Sequence, residues 1–218
     1  MAKKKQLPEE VAHSEAYVKD FFDMAVPSAI RFNVDHFICG DSYRSVWAIR
    51  EYPPQTSDQA LLARFGDKEA VTVHLYTRLV DGVEQRKILQ NASRKNKLLA
   101  NSNDLEDSVT GEGNLGDVVE LLGELRKNRE PLLHCAVFIE LSAGNLDKLR
   151  ELQSDVSMEM TREKISVDHL SMRQKEGFIA CMPCGYNIFG TQYERVLPAS
   201  AVANLFPFNY SGKTDKNG

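Results

Sequence analysis

LLHCAVFIEL at 132–141 is the most apolar run in the chain, and it opens directly after Pro131. A continuous apolar run of this length, started by a proline, predicts a strand placed centrally in its sheet. Within it Cys135 reads as a small buried hydrophobe, and His134 as a structural histidine. Upstream, EAVTVHLYTRL at 69–79 alternates Val71, Val73 and Leu75 with Thr72, His74 and Tyr76. That period of two predicts a second strand with one buried face, and His74 again reads as structural. DHFICGDSYRSVWAIRE at 35–51 predicts a β-hairpin that turns at Gly40-Asp41 and stops at Tyr52-Pro53-Pro54.

Helical spacing surrounds these strands. Val11, Tyr17, Val18, Phe21 and Phe22 predict a short helix over 11–24, ended at Val26-Pro27. Leu61, Leu62 and Phe65 predict another over 58–65, closed by Gly66. Asn114 can cap a helix to 128 that buries Leu115, Val118, Val119, Leu122 and Leu125. Gly144-Asn145 leads into a helix over 145–160 with Leu146, Leu149, Leu152, Val156 and Met160 inward. Ile165 and Val167 suggest a short strand, and 169–176 a short helix. The helix over 83–101 differs from the rest: it carries Arg86, Lys87, Arg94, Lys95 and Lys97 with few apolar positions. Such a helix is solvated or faces a partner.

Strands and helices mix without strict β-α-β alternation, which predicts an α+β fold: a mostly antiparallel sheet with helices packed on one face. The order strand, Gly82, helix returns as strand, Gly144, helix, so the chain could consist of two similar α/β halves, although no residue-level repeat accompanies it. The domain reading is a tail and short helix over 1–28, the α+β domain over 29–208, and a linker over 209–218.

Composition narrows the function. The chain has 218 residues, 42% of them hydrophobic, with a formal net charge of −4. That suffices for a core and gives no bulk drive toward nucleic acid or anionic lipid. No apolar run approaches the roughly 20 residues of a membrane span. The basic start at Lys3-Lys4-Lys5 is followed by Leu7-Pro8-Glu9-Glu10 rather than by the apolar stretch of a signal peptide. A cytoplasmic protein is expected.

Two motifs invite a catalytic reading. Ser211-Gly212-Lys213-Thr214 resembles the end of a phosphate-binding loop, but Pro207 stands where the loop needs its first glycine. Cys181-Met-Pro-Cys184 is a C-x-x-C and makes Cys181 and Cys184 a candidate redox pair. Redox pairs place the first cysteine at a helix N-terminus, whereas Pro183 and Gly185 here interrupt a following helix. A zinc site would need two more ligands at regular spacing, and the sequence near the pair offers none. Turn cysteines without chemistry are the expectation. No catalytic, cofactor-binding or metal-ligating residue is assigned.

Three segments together carry a resemblance: AIREYP at 48–53, QKEGFIACMPCGYN at 174–187 and RVLPASAVANLFPF at 195–208. Their order and spacing resemble the N-terminal domain of the traffic ATPases of conjugation and type IV secretion, of the CagE/TrbE/VirB type, with the Gram-positive conjugative-element branch nearest. The match spans most of 30–210. The resemblance implies a non-catalytic interaction and assembly domain that docks the motor to channel subunits, and a linker leading toward an ATPase domain. It implies other secretion subunits, the parent ATPase domain and further copies of the parent as partners. Association with the inner face of the cell membrane would run through those partners. Arg86, Lys87, Arg94, Lys95 and Lys97 are then the candidate docking residues. Two alternatives stand beside it. One is a nucleic-acid-binding module of a DNA-transfer system, which the charge and the lack of interleaved aromatic residues oppose. The other is a C-x-x-C thiol oxidoreductase.

Overall fold

The computed structural model describes residues 29–53, 62, 65, 68, 70–100, 123, 130–183 and 186–205. The strands are β1 (Ile30–Phe32), β2 (Phe37–Cys39), β3 (Ser42–Glu51), β4 (Val71–Leu79), β5 (Leu132–Ala143), β6 (Ser166–Asp168) and β7 (Arg195–Pro198). The helices are α1 (Gly82–Ala100), α2 (Leu146–Arg162), α3 (Gln174–Cys181) and α4 (Ala199–Leu205), with a 3-10 turn at Gly190–Gln192. The fold is α+β. All seven strands join one sheet, and every pairing is antiparallel.

The run at 132–141 is the centre of that sheet. β4 pairs along one edge of β5, from Val71↔Leu141 to Leu79↔Leu133. The other edge is shared end to end: β3 takes the far half, with Tyr43↔Ala143 through Ala48↔Phe138, and β7 takes the near half, with Leu132↔Pro198 through Cys135↔Arg195. Both faces of β5 are buried. Cys135, Val137, Ile139 and Leu141 enter one core with Trp47, Ile49, Val71 and the α2 residues Leu149, Val156 and Met160. Ala136 and Phe138 enter a second core with Phe37, Val46, Ala48, Leu170, Ala180, Phe189 and Tyr193.

Helices therefore cover both faces, which corrects the expected one-sided arrangement. α2 and α4 lie on the first face, and α3 with the 3-10 turn lies on the second. The reason is the strand itself: an apolar run that alternates nothing polar at Ala136 and Phe138 needs cover on each side. α2 begins at Asn145, whose side chain accepts a hydrogen bond from the Lys148 N–H at 2.8 Å. The two strand-Gly-helix units differ in packing. α2 buries Leu149, Val156 and Met160, whereas no described side chain of α1 is fully buried.

The short helix expected over 169–176 begins later, at Gln174, and runs to Cys181. Leu170 (φ 50) and Met172 (φ 62) adopt the left-handed conformation, which stops a helix from starting at 169. Asp168 Oδ1 accepts from the Leu170 N–H at 3.0 Å and helps to set this turn. β7 has no counterpart among the sequence expectations. The helices expected over 11–24 and 114–128 and the linker over 209–218 lie outside the described residues, Gly123 excepted, as does most of 58–65. Leu62 and Phe65 are described and buried in the first core. Among the described residues no helix is long and apolar enough to cross a membrane.

One side chain closes a gap in the sheet. On the edge of β3 away from β5, β2 pairs at 42–44 and β6 from Ala48 onward. The peptide of Val46 falls between them. Gln174 Oε1 accepts from the Val46 N–H at 2.9 Å, and its Nε2 donates to the Val46 carbonyl at 3.1 Å and to that of His169 at 2.8 Å. The buried amide thus stands in for a strand. α3 comes so close here that a Cβ on Gly177 would lie 2.9 Å from the Val46 Cβ. Gln174→Leu leaves buried backbone groups unpaired and should cost about 1–3 kcal/mol. Gly177→Ala should cost a similar ~1–3 kcal/mol through overpacking. Urea unfolding of each variant checks this, and an unchanged midpoint for both would contradict the closure.

Candidate functional site

α1 stands apart from the two cores, and its sequence explains how it is held. Asp81 Oδ1 accepts from the N–H groups of Val83 (2.7 Å) and Glu84 (2.8 Å), a helix cap. Those two bonds hold the Asp81 carboxyl below its ordinary range. At about 100° per residue, Glu84, Gln85, Ile88, Leu89, Ala92 and Ser93 fall on one side, and all six are half-buried. Ile88 packs against Val80 and Leu132.

A charged clasp fastens the same side. Glu84 Oε1 lies 3.0 Å from Nε2 of His134, a buried residue of β5. The other ring nitrogen, Nδ1, lies 3.4 Å from Glu194 Oε2. Arg78 reaches both carboxylates, at 3.3 Å to Glu194 and 3.9 Å to Glu84. His134 is therefore structural and satisfied, as its place in the apolar run implies.

The opposite side of α1 is the cationic one. Arg86, Lys87, Arg94 and Lys97 are exposed there, whereas Lys95, also exposed, falls by rotation on the side of Glu84 and Ile88. By the same rotation those four spread over about 100° of the helix circumference. Glu84 is the one acidic residue in the helix, and it is turned inward. Four of the five candidate docking residues thus share one side of the helix.

The C-x-x-C is described in part. Cys181 is the last residue of α3 and is buried, while Cys184 lies outside the described residues. Burial, and then the negative charge of Glu140, push the Cys181 thiol up. The C-terminal end of a helix adds no stabilisation to a thiolate. An activated redox cysteine needs the reverse of both conditions. Cys135, in the first core, is pushed up to about 11 by burial.

Sequence reading missed a polar group beneath α3. His74 of β4 and Glu140 of β5 share the face that α3 covers, with His74 opposite Phe138 and Thr72 opposite Glu140. Arg44 Nη1 donates to Glu140 Oε1 at 2.9 Å. His74 Nε2 stands 3.4 Å from Glu140 Oε2, too poorly aligned to complete a hydrogen bond. Burial raises the Glu140 carboxyl, but His74 and Arg44 outweigh it and hold the group below its usual range. The only sequence signal was polar residues at alternate positions of two strands; their register could not be read.

The chain matches no protein-family model, and no curated protein matches it. The three segments that carry the resemblance fall at the end of β3, on α3 and its exit, and on β7 with α4.

Removing the clasp should loosen α1 without disturbing the sheet. Glu84 is partly exposed, so its pairing is worth about 1 kcal/mol or less. Glu84→Ala should speed amide exchange in α1 by ~5-fold while β5 stays protected. Equal acceleration in α1 and β5 would show that the clasp supports the whole sheet instead.

Proposed function

We propose that this chain is a non-catalytic interaction domain that docks a traffic ATPase of conjugation or type IV secretion onto its channel subunits. The observation that carries the reading is the sidedness of α1. Four cations, Arg86, Lys87, Arg94 and Lys97, lie on its exposed side while the other side is clasped and packed. A helix fastened along one edge offers its free face at low ordering cost, which favours binding. The partner chemistry is an acidic protein surface. In this reading the domain lies at the inner face of the cell membrane, through the partners of the parent motor. The resemblance of the three segments supplies the system; the helix supplies the surface.

Cations of this kind act on encounter rate and on partner choice more than on final affinity. Screening sets in over about 8 Å at physiological salt. The variant Lys87→Glu, Arg94→Glu, Lys95→Glu should fold as the parent does, within about 0.5 kcal/mol, because it touches no core residue. In the full-length motor it should slow association with the channel subunits by ~10-fold or more at low salt, with a smaller effect at high salt. Transfer in a mating assay should fall in step. Normal assembly and transfer at every salt concentration would remove the docking role. Loss of single-stranded DNA binding instead, with assembly intact, would favour the nucleic-acid module.

A further inference from the structure

We propose that His74, Glu140 and Cys181 form a binding site for a divalent transition-metal ion, with zinc(II) the ion their chemistry suits best. The three come from β4, β5 and the end of α3. Their donor atoms, an imidazole nitrogen, a carboxylate oxygen and a sulfur, all lie within 4.8 Å of one another. Zinc takes such donors at about 2.0–2.3 Å in a tetrahedron, which sets them roughly 3.3–3.8 Å apart. Side-chain adjustments of about 1 Å close the site around an ion.

Two further observations point to a ligand. His74 Nε2 is buried, lies 3.4 Å from Glu140 Oε2 and completes no hydrogen bond among the described residues, so the ring nitrogen faces Glu140 and Cys181 only loosely held. Arg44 binds Glu140 through Oε1 and leaves Oε2 directed at His74, the arrangement in which a supporting residue orients a ligating carboxylate. A sulfur and an imidazole together select zinc over magnesium or calcium, which prefer all-oxygen sites. On binding, the sulfur exchanges its proton for the metal, and the proton leaves to solvent. Thiolate and carboxylate then balance the two charges of the ion. Three protein ligands leave the fourth position to water. The ion would staple the end of α3 to the middle of the sheet, on the face opposite α2.

The test uses the whole chain, stripped with a chelator and exchanged into metal-free buffer. Cobalt(II) is the first probe. One equivalent should bind and give a thiolate-to-cobalt charge-transfer band, and added zinc(II) should abolish the band and raise the melting temperature. Cys181→Ser should remove the band, and His74→Gln should weaken zinc binding by more than ~100-fold. Cys135→Ser, which lies in the opposite core, should leave both unchanged. No cobalt uptake by the parent chain would overturn the proposal. So would undiminished binding by His74→Gln, which would move the site to the C-x-x-C alone. X-ray absorption on the zinc-loaded parent decides the matter if the variants do not fold. One sulfur among nitrogen and oxygen neighbours is expected, and two or more sulfurs would contradict it.

Discussion

The peptide group of Val46 sits on a sheet edge where no strand reaches it, and the side-chain amide of Gln174 takes the strand's place. A buried N–H and C=O left open there would each carry the desolvation penalty of an unpaired polar group. Much follows from meeting that need with a residue at the start of α3. The helix is pinned over β3, and its exit is directed across Phe138 toward β4. The distance is then set by Gly177, which leaves room for nothing larger than hydrogen beside Val46. Cys181 is carried to the place where His74 and Glu140 meet. Tyr76 adds a second tie by donating its hydroxyl to the Ala180 carbonyl.

β5 imposes the complementary constraint. It has to bury both faces and pair both edges, and no single strand partner covers its second edge. β3 and β7 divide that edge between them, which brings the segment before α4 back to the sheet. The even-numbered face of β5 carries polar groups at its two ends, His134 and Glu140, with Ala136 and Phe138 between. Each polar end recruits an element: His134 holds α1 through Glu84, and Glu140 holds Arg44 and faces Cys181. Buried charges survive only where partners are present, so these two residues decide where α1 and α3 can sit.

The sequence was legible where one residue pattern dictates one conformation. The apolar run after Pro131, the Gly40-Asp41 turn and the helix start after Gly144-Asn145 all act locally, and the corresponding elements are found where expected. α1 was legible as well, because its cations and scarce apolar residues leave it no place in a core. The start of α3 was hidden. It depends on Leu170 and Met172 in left-handed conformations that neither residue type announces. β7 was hidden because four residues ending in proline carry too little periodicity to read. The group of His74, Glu140 and Cys181 needs the β4–β5 register and the reach of α3, so spacing along the chain gave no hint of it. Zinc ligands are absent at regular spacing along the chain beside the C-x-x-C, whereas these three donors lie across the sheet.

The two cores and the clasp leave one side of α1 exposed, and the proposed docking role rests on what meets that side. Site-specific photo-crosslinking in cells that carry the proposed traffic ATPase measures this directly. A photoreactive residue at Lys87 or Arg94, on the cationic side of α1, should capture one membrane-associated partner. The same residue at Glu151, exposed on α2, should not. Equal capture from both helices, or none from α1, would contradict a docking role for this domain.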